Sequence, residues 1–326
     1  MIHADQRWIG NHGIGRFARE VLARFEYEPV ALATHPAAPL DAWRLARALR
    51  RLTSQDVFFS PGYNTPLFCP CPFVFTIHDL SHVFCPENSS VAIRLYYATI
   101  MKRACRRAVK ILTVSEFTRS QIVEWSGVQK EKVINVGCGV DPAYRPERDV
   151  YGMPYPYLLC VSNRKRHKNE FRTVEAFGKA AIDRGIHLVF TGEPTPDLSA
   201  WIESHSLRDR VNFVGVVAEE RLPSLYRGAV GLIFVSRYEG FGLPILEAMA
   251  CGAPVVTSNV TAMPEVAGEA ALLVNPESIE QISHAISEVV GDSVLQAQLR
   301  EKGFIRAAEF SWNRTSTQVY QVLRSL

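Results

Sequence analysis

Short apolar runs alternate with longer amphipathic stretches along most of the chain. In the first half the runs are Val30–Ala33, Val57–Ser60, Val74–Ile77, Ile111–Val114 and Val133–Val136, preceded by a reduced one at about Ile2–Asp5. Amphipathic stretches lie between several of them, among them Phe17–Phe25 and Ile93–Val109. In the second half the runs are Tyr157–Val161, His187–Thr191, Val211–Val214, Gly231–Val235, Pro254–Thr257 and Ala271–Val274. Helical patterns separate them at Asn169–Ala181, Pro196–Ser204, Ala218–Tyr226 and Ile245–Ala250. Short buried strands alternating with helices predict βαβ units and parallel sheets. Two such series predict two doubly wound α/β domains with a cleft between them. Ligands of open α/β sheets bind beyond the carboxyl ends of the strands, so the loops after strands are where chemistry is expected.

A Pro-rich, charged and aperiodic stretch, Asp141–Asp149 and then Gly152-Met-Pro-Tyr-Pro156, reads as the linker. It divides the chain into domains 1–150 and 151–310, and residues 311–326 read as a last helix able to cross back to the first domain. Composition changes this picture little. The 326 residues are 47% hydrophobic and 21% charged, which excludes disordered and fibrous classes. No apolar run approaches the roughly 18–20 residues that span a bilayer. The N-terminal MIHADQRWIG has no apolar segment of the secretory kind, and seven scattered cysteines read as reduced thiols, so a cytoplasmic location is expected. Charge matters more. Residues 1–150 hold 19 Lys+Arg and 14 Asp+Glu, a net of +5, while residues 151–326 hold 17 and 19, a net of −2. The halves are expected to meet different partners, with no nucleic acid among them.

Three loops carry candidate chemistry. Gly13-Ile-Gly15-Arg16-Phe-Ala18 matches G-x-G-x-x-A. It reads as a dinucleotide-binding turn, as another ligand contact at a helix N-terminus, or as a tight turn alone. A polar stretch, Asp5–His12, separates it from the preceding strand, and no acid ends the second predicted strand, which weighs against an NAD-dependent oxidoreductase. Arg164, Lys165, Arg166, His167 and Lys168 follow a buried strand, where side-chain charge and a helix dipole both favour an anion; the alternative is a solvated face. The third loop runs from Ser236 through Glu239-Gly240-Phe241-Gly242-Leu243-Pro244 to Glu247 and Gly252. Two acids around a glycine turn that opens a helix suit ligand hydroxyls and phosphate together, as in a sugar nucleotide, or simply a capped helix.

This third loop resembles the retaining glycosyltransferases of family 4, whose fold is GT-B: two Rossmann-like domains facing a cleft. The likeness rests on the E-x7-E block from Glu239 to Glu247. It extends to Met263-Pro-Glu-Val, Phe213-Val-Gly215, Val161-Ser-Asn-Arg164 through Asn169, Thr76-Ile-His78-Asp79 and Thr113-Val-Ser115. The resemblance implies that Arg164 and Lys168 bind the donor diphosphate and that Glu239 contacts the donor sugar. It implies further that Glu247 meets the ribose, Gly240, Phe241, Gly242 and Leu243 line the sugar and phosphate, and Gly215 lies near the base. His78 would sit beside the transferred sugar, and Gly13, Gly15 and Arg16 on the acceptor or phosphate side. Ser162 and His167 depart from the family's commoner Gly and Arg. The resemblance also implies a retaining reaction without metal or cofactor, in which the acceptor attacks from the face the diphosphate leaves. GDP-mannose is the favoured donor and a UDP-sugar the alternative; the acceptor is a glycan or lipid-linked saccharide of surface polysaccharide or lipopolysaccharide assembly. A non-catalytic sugar-nucleotide-binding subunit is the competing class.

The pair His78 and His82 is backed by no further ligand set, and the chain has no D-x-D, so no metal site is expected. Lys102, Arg103, Arg106, Arg107 and Lys110 fall on one face of a predicted helix. That face reads either as ordinary solvated surface or as a contact with an anionic inner leaflet.

Overall fold

The structure, a computed structural model, describes the whole chain except residues 39, 86, 88, 147 and 148. The first half contains β1 (Ile2–Ala4), α1 (Gly13–Leu22), β2 (Glu28–Pro29), α2 (Asp41–Leu49), β3 (Val57–Ser60) and β4 (Phe73–Thr76). Then come α3 (Ser81–Phe84), α4 (Val91–Tyr96), α5 (Lys102–Arg107), β5 (Lys110–Thr113), α6 (Glu116–Ser126) and β6 (Val133–Asn135). The second half begins with β7 (Tyr157–Cys160), α7 (Glu170–Lys179), β8 (His187–Phe190), α8 (Pro196–Ser204), β9 (Val211–Phe213) and α9 (Leu222–Gly228). It continues through β10 (Gly231–Phe234), α10 (Leu243–Ala250), β11 (Val255–Ser258), α11 (Met263–Ala267), β12 (Leu272–Val274), α12 (Ile279–Gly291) and α13 (Ser293–Ala308), and α14 (Trp312–Arg324) closes the chain.

Among the described residues the strands form two six-stranded sheets, ordered β2-β1-β3-β4-β5-β6 and β12-β11-β10-β7-β8-β9. Every strand pairing is parallel. The central strands β3, β4, β7, β10 and β11 are buried at every position. Helices cover both faces of such a sheet, so its strands read as unbroken apolar runs rather than as alternation. Phe58, Phe75, Ile77 and Ile111 centre one core, and Leu158, Phe177, Phe190 and Ile233 the other. Strand order reverses between β1 and β3 in the first sheet and between β7 and β10 in the second. Those reversals part the crossover helices, leaving a crevice at the carboxyl ends of the flanking strands.

The chain forms two compact units, Met1–Gly139 with Ser311–Leu326, and Val140–Phe310. The division therefore falls between Gly139 and Val140, not between residues 150 and 151. The segment after Gly139 is tied to the second unit: Tyr144 packs edge-on against Tyr226 at 5.9 Å. Arg227 donates to the carbonyls of Arg145 at 3.1 Å and Asp149 at 2.8 Å. The Glu147–Arg148 part of the predicted linker lies outside the described residues. Residues 311–326 belong to the first unit through α14. Ser316 Oγ donates to Val21 O at 3.2 Å, Arg24 Nε to Asn313 Oδ1 at 2.8 Å, and Tyr320 stacks on Phe25 at 5.5 Å. A side chain at Gly139 would lie 2.1 Å from the Trp312 nitrogen, so only glycine fits there.

Local differences from the sequence expectation have local causes. The second strand is Glu28–Pro29 rather than Val30–Ala33; it is an edge strand, and past it only Val30 N–H reaches β1, at Ala4 O. The expected helix 93–109 runs over α4 and α5 with a π-helical turn, Tyr97–Met101, between them. Its basic face ends at Arg107. Lys110 opens β5 instead, with Nζ donating to Glu131 O at 2.9 Å. The helices α2, α6, α12 and α13 were not singled out by the pattern. No helix among the described residues is long and apolar enough to cross a membrane.

Trp312 is buried and lies edge-on to Phe17, with ring centroids 6.3 Å apart. Trp312→Ala is expected to cost about 3–5 kcal/mol. In urea unfolding, the loss should appear in probes of the first unit, such as hydrogen exchange of α1, and not in those of β7–β12.

Candidate active site

In the second unit two loops meet at the carboxyl ends of β7 and β10. The first leaves β7, makes a 3₁₀ turn at Arg166–Lys168 and enters α7 through Asn169. Asn169 has φ 62°, the left-handed region that asparagine tolerates better than most residues. Its buried amide donates to Val235 O at 3.0 Å and Pro276 O at 2.7 Å, at the ends of β10 and β12. Arg237 N–H donates to His167 O at 2.7 Å, adding a rung between the loops. With its neighbours so fixed, Lys168 reaches Glu239, Nζ to Oε1 at 2.6 Å. Both side chains keep some exposure, 14% and 15%, and the ammonium lies 5.1 Å from the centre of the Phe234 ring. Glu239 is held in turn by its own N–H, which donates to Thr261 Oγ1 at 3.3 Å.

The second loop then turns at Gly242, φ 107°, into α10. A side chain there would be strained, and would also lie 3.1 Å from Ile245 Cδ1. Pro244 sits in the first turn of α10, where a missing N–H costs nothing. The start of α10 at Leu243 makes this end of the helix favourable for an anion. Phe241 is buried edge-on against Phe310 at 5.9 Å. Glu247, one turn into α10, is 3% exposed, and its Oε2 accepts from Tyr226 Oη at 2.7 Å.

Arg164 is placed differently from Lys168. Its backbone is left-handed, φ 63°. Its guanidinium bonds Glu170 and Thr191 O, donates through Nε to Glu193 O at 2.8 Å, and lies 5.3 Å and 5.2 Å from the rings of Phe190 and Phe213. Its charge is thus used to brace the ends of β8 and β9. Gly215 lies at the same place, φ 68°, with its carbonyl accepting from Gly192 N–H at 2.6 Å. Val216 beside it is 93% exposed.

In the first unit, the glycine-rich segment follows β1 after a short 3₁₀ turn, Gln6–Trp8, and not directly. Gly13 and Gly15 lie inside the first turn of α1 rather than in a loop before it. His12 caps this helix, Nδ1 accepting from Gly15 N–H at 3.0 Å, and Arg16 N–H donates to His12 O at 2.8 Å. Gly15 is required, because a Cβ there would lie 2.4 Å from Gly10 O. The segment before the turn is pinned by Arg7. The Arg7 guanidinium contacts Asp5 and Asp41, each at 2.6 Å, and Asn64 Nδ2 donates to Asp5 at 2.7 Å. These carboxylates hold the guanidinium pKa above its ordinary value despite burial. Beyond β4, His78 Nε2 lies 2.8 Å from Pro61 O, and its ring stands edge-on to Phe17 at 4.8 Å. A carbonyl only accepts, so the proton sits on Nε2 and Nδ1 is the ring's acceptor. His82 instead packs against Tyr97 at 5.7 Å.

Residues 7–144 match the family model described as Glycosyltransferase Family 4, and residues 147–306 the one described as Glycosyl transferases group 1. O-antigen chain mannosyltransferase B of Escherichia coli is 30% identical over 267 residues, covering 78% of this chain and 70% of that protein. This chain belongs to glycosyltransferase family 4. The fold is shared with a sucrose-phosphate synthase of Thermosynechococcus elongatus, at TM-score 0.78 and 20% identity, covering 99% of this chain and 98% of the other. It is shared also with HepE of Anabaena, solved with UDP and glucose, at TM-score 0.77 and 18% identity over 100% and 99% of the two chains. Both likenesses identify the GT-B architecture. This glycosyltransferase thus has the two parallel-sheet units that its sequence predicts.

Sequence reasoning passed over three residues that hold the transferase's second-unit loops: Asn169, Tyr226 and Thr261. Asn169 had a signal, an asparagine closing a basic turn before a helix. Tyr226 had one, as the last residue of the family-like run Leu222-x-x-Leu-Tyr, while Thr261 had none, since it acts on a residue far away along the chain.

Asn169→Ala should lose both amide bonds and the tolerance for positive φ, costing about 3 kcal/mol. Asn169→Gly restores the backbone but not the bonds, and should recover a part of that loss in urea unfolding. Burial of the His78 ring holds its pKa below the ordinary value. The unfolded chain then takes up this proton first as pH falls below about 6.5, so His78's contribution to stability is complete above that pH and lost beneath it. His78→Gln should flatten the fall in urea midpoint between pH 7.5 and pH 5.5; an unchanged slope would show that His78 does not contribute.

Proposed function

We propose that this glycosyltransferase moves mannose from GDP-mannose to a hydroxyl of a growing glycan or lipid-linked saccharide, with retention of configuration and without a metal ion. The observation that carries the reading is the Lys168–Glu239 pair at the strand-order reversal of the second sheet, beside the glycine-opened end of α10. The E. coli relative, named as an O-antigen chain mannosyltransferase, supports mannose and polysaccharide assembly. HepE, solved with UDP and glucose, supports a nucleotide-sugar donor and makes UDP the competing base.

The roles follow from charge. As the bond from sugar C1 to the diphosphate oxygen breaks, negative charge gathers on the β-phosphate. Lys168 and the N–H groups of Gly242 and Leu243 offset that charge, and need no reorganisation to do so. Glu239 accepts from donor-sugar hydroxyls and keeps Lys168 extended until the phosphate competes for it. Glu247, oriented by Tyr226, takes the ribose hydroxyls. Gly215 leaves room for the base, with Val216 as an apolar neighbour. Gly240 and Phe241 shape the turn between the two acids. Arg164 serves this site by bracing β8 and β9 beneath the base. In the first unit, His78 contacts the transferred sugar, and Gly13, Gly15 and Arg16 line the acceptor side. The acceptor oxygen bonds to C1 on the face that the diphosphate leaves, and its proton passes to a phosphate oxygen, so no protein nucleophile and no cofactor is required.

We place the enzyme at the cytoplasmic face of an anionic membrane. The exposed side chains of Arg103, Arg106 and Arg107, with Lys102 beside them, would contact lipid phosphates, and the buried Met101, Ala104, Cys105 and Ala108 form the opposite side. Lys110 is excluded from that face by its place in β5.

Lys168→Ala is expected to lower kcat by roughly 10²–10³-fold, as for loss of one transition-state charge donor; unchanged turnover would remove Lys168 from the reaction. A thermal-shift screen with GDP, UDP, dTDP and NAD, with and without EDTA, tests the donor. Stabilisation by GDP that survives EDTA is expected. UDP in its place would change the base, and NAD would overturn the assignment.

A further inference from the structure

The segment Leu67–Pro72 leads into the amino end of β4, opposite the ends that carry the proposed ligand loops. Cys69 and Cys71 flank Pro70 there, with their sulfurs 3.4 Å apart. The chain holds these thiols together, since Cα atoms two residues apart lie at most about 7 Å from one another, close to the span that a disulfide bridges. Of the seven cysteines, Cys69 is the one that is half-buried; the other six are buried. Arg107 reaches over this segment. Its Nη1 donates to Leu67 O at 2.9 Å, and its guanidinium lies 5.7 Å from the centre of the Phe68 ring.

The electrostatics separate the two thiols. The hydrogen bond from Cys71 and the nearby Arg107 charge draw the Cys69 pKa below its ordinary value, while Cys71 is driven up as the partner that keeps its proton. Burial pushes the thiols of Cys105 and Cys251 up to about 12, and those of Cys138 and Cys160 up as well. A thiolate reacts and a thiol does not. Among these six, nucleophilic character is therefore concentrated at half-buried Cys69, with a second sulfur in contact.

We propose that Cys69 and Cys71 are a redox-active dithiol that takes low-molecular-weight disulfides such as oxidised glutathione, with Cys69 attacking and Cys71 resolving. In the first step the Cys69 thiolate attacks one sulfur of the small disulfide. The Cys69 mixed disulfide forms and one small thiolate leaves. In the second step the Cys71 thiol gives up its proton and attacks the Cys69 sulfur, releasing the second small thiol. Two protein thiols are oxidised to one intrachain disulfide, and one small disulfide is reduced to two thiols. Neither step depends on the donor-site reading.

The test uses the folded full chain with oxidised glutathione near pH 8, read by thiol titration, intact mass and peptide mapping. Wild type should lose two titratable thiols, become lighter by two hydrogen atoms, and map the bond to Cys69 and Cys71. Cys71→Ser should instead stop at glutathione on Cys69, and Cys69→Ser should not react. The proposal is overturned if folded wild type keeps all its thiols, if another cysteine reacts first, or if Cys69→Ser loses thiols as fast as wild type. Should Cys71→Ser fail to fold, phenylarsine oxide decides: one equivalent bound by wild type and none by Cys69→Ser supports the dithiol, and equal binding overturns it.

Discussion

Two hydrogen bonds from the Asn169 amide carry the second unit's site. They join the turn after β7 to the last carbonyls of β10 and to the chain beyond β12. Without them the basic turn would be a surface loop, and Lys168 a long side chain with many rotamers. With them, the turn and the Glu239 loop are held as one surface, and an ammonium and a carboxylate meet at 2.6 Å. Exposed ion pairs add little stability. This one is better understood as preorganisation: it holds an ammonium and a carboxylate in fixed positions, as the proposed reaction needs.

The first unit solves the same problem with buried charge. Arg7 sits between Asp5 and Asp41, with Asn64 completing the set. Such a cluster is tolerable in a core only because its lone pairs and protons are nearly all used. It fixes the path from β1 to Gly10, against which Gly15 packs with no space for a side chain. Each sheet's reversal in strand order is thus braced by polar groups, while apolar packing holds the strands beneath. The Arg164 cluster, with Glu170, Thr191 and Glu193, is a third example.

Much of this was readable along the chain. β3, β7, β8, β10 and β11 lie where apolar runs predict them, because strands covered on both faces need apolar residues throughout. The glycine–proline turn into α10 was equally plain, since its φ 107° and its helix start each demand a residue type. What escaped was whatever depends on distant partners. Nothing in the residues around Arg164 signals that Glu170, Thr191 and Glu193 claim its guanidinium. The end of α5 was misplaced because basic residues continue through Ala108 into β5, and charge alone does not mark where a backbone changes course. α13 escaped because its buried side is only Leu299, Gly303 and Ala307, too small for a clear apolar stripe. The division at Gly139 was hidden because the Pro-rich stretch after it looks like linker, yet packs on Tyr226 and Arg227.

The first unit is closed by a segment that follows the whole of the second unit in sequence. Residues 140–310 form a unit continuous in sequence, whereas the first unit needs α14 to cover Phe17 and Phe25. Domains generally form as the ribosome delivers them, the earlier one first. Here the order is inverted. The first sheet emerges early with part of α1 bare, and its final packing waits until α14 has left the ribosome. The second unit has by then had all of its own residues available. A chain cut just before Trp312 would therefore carry a first unit with α1 partly bare, together with a second unit that has all of its residues.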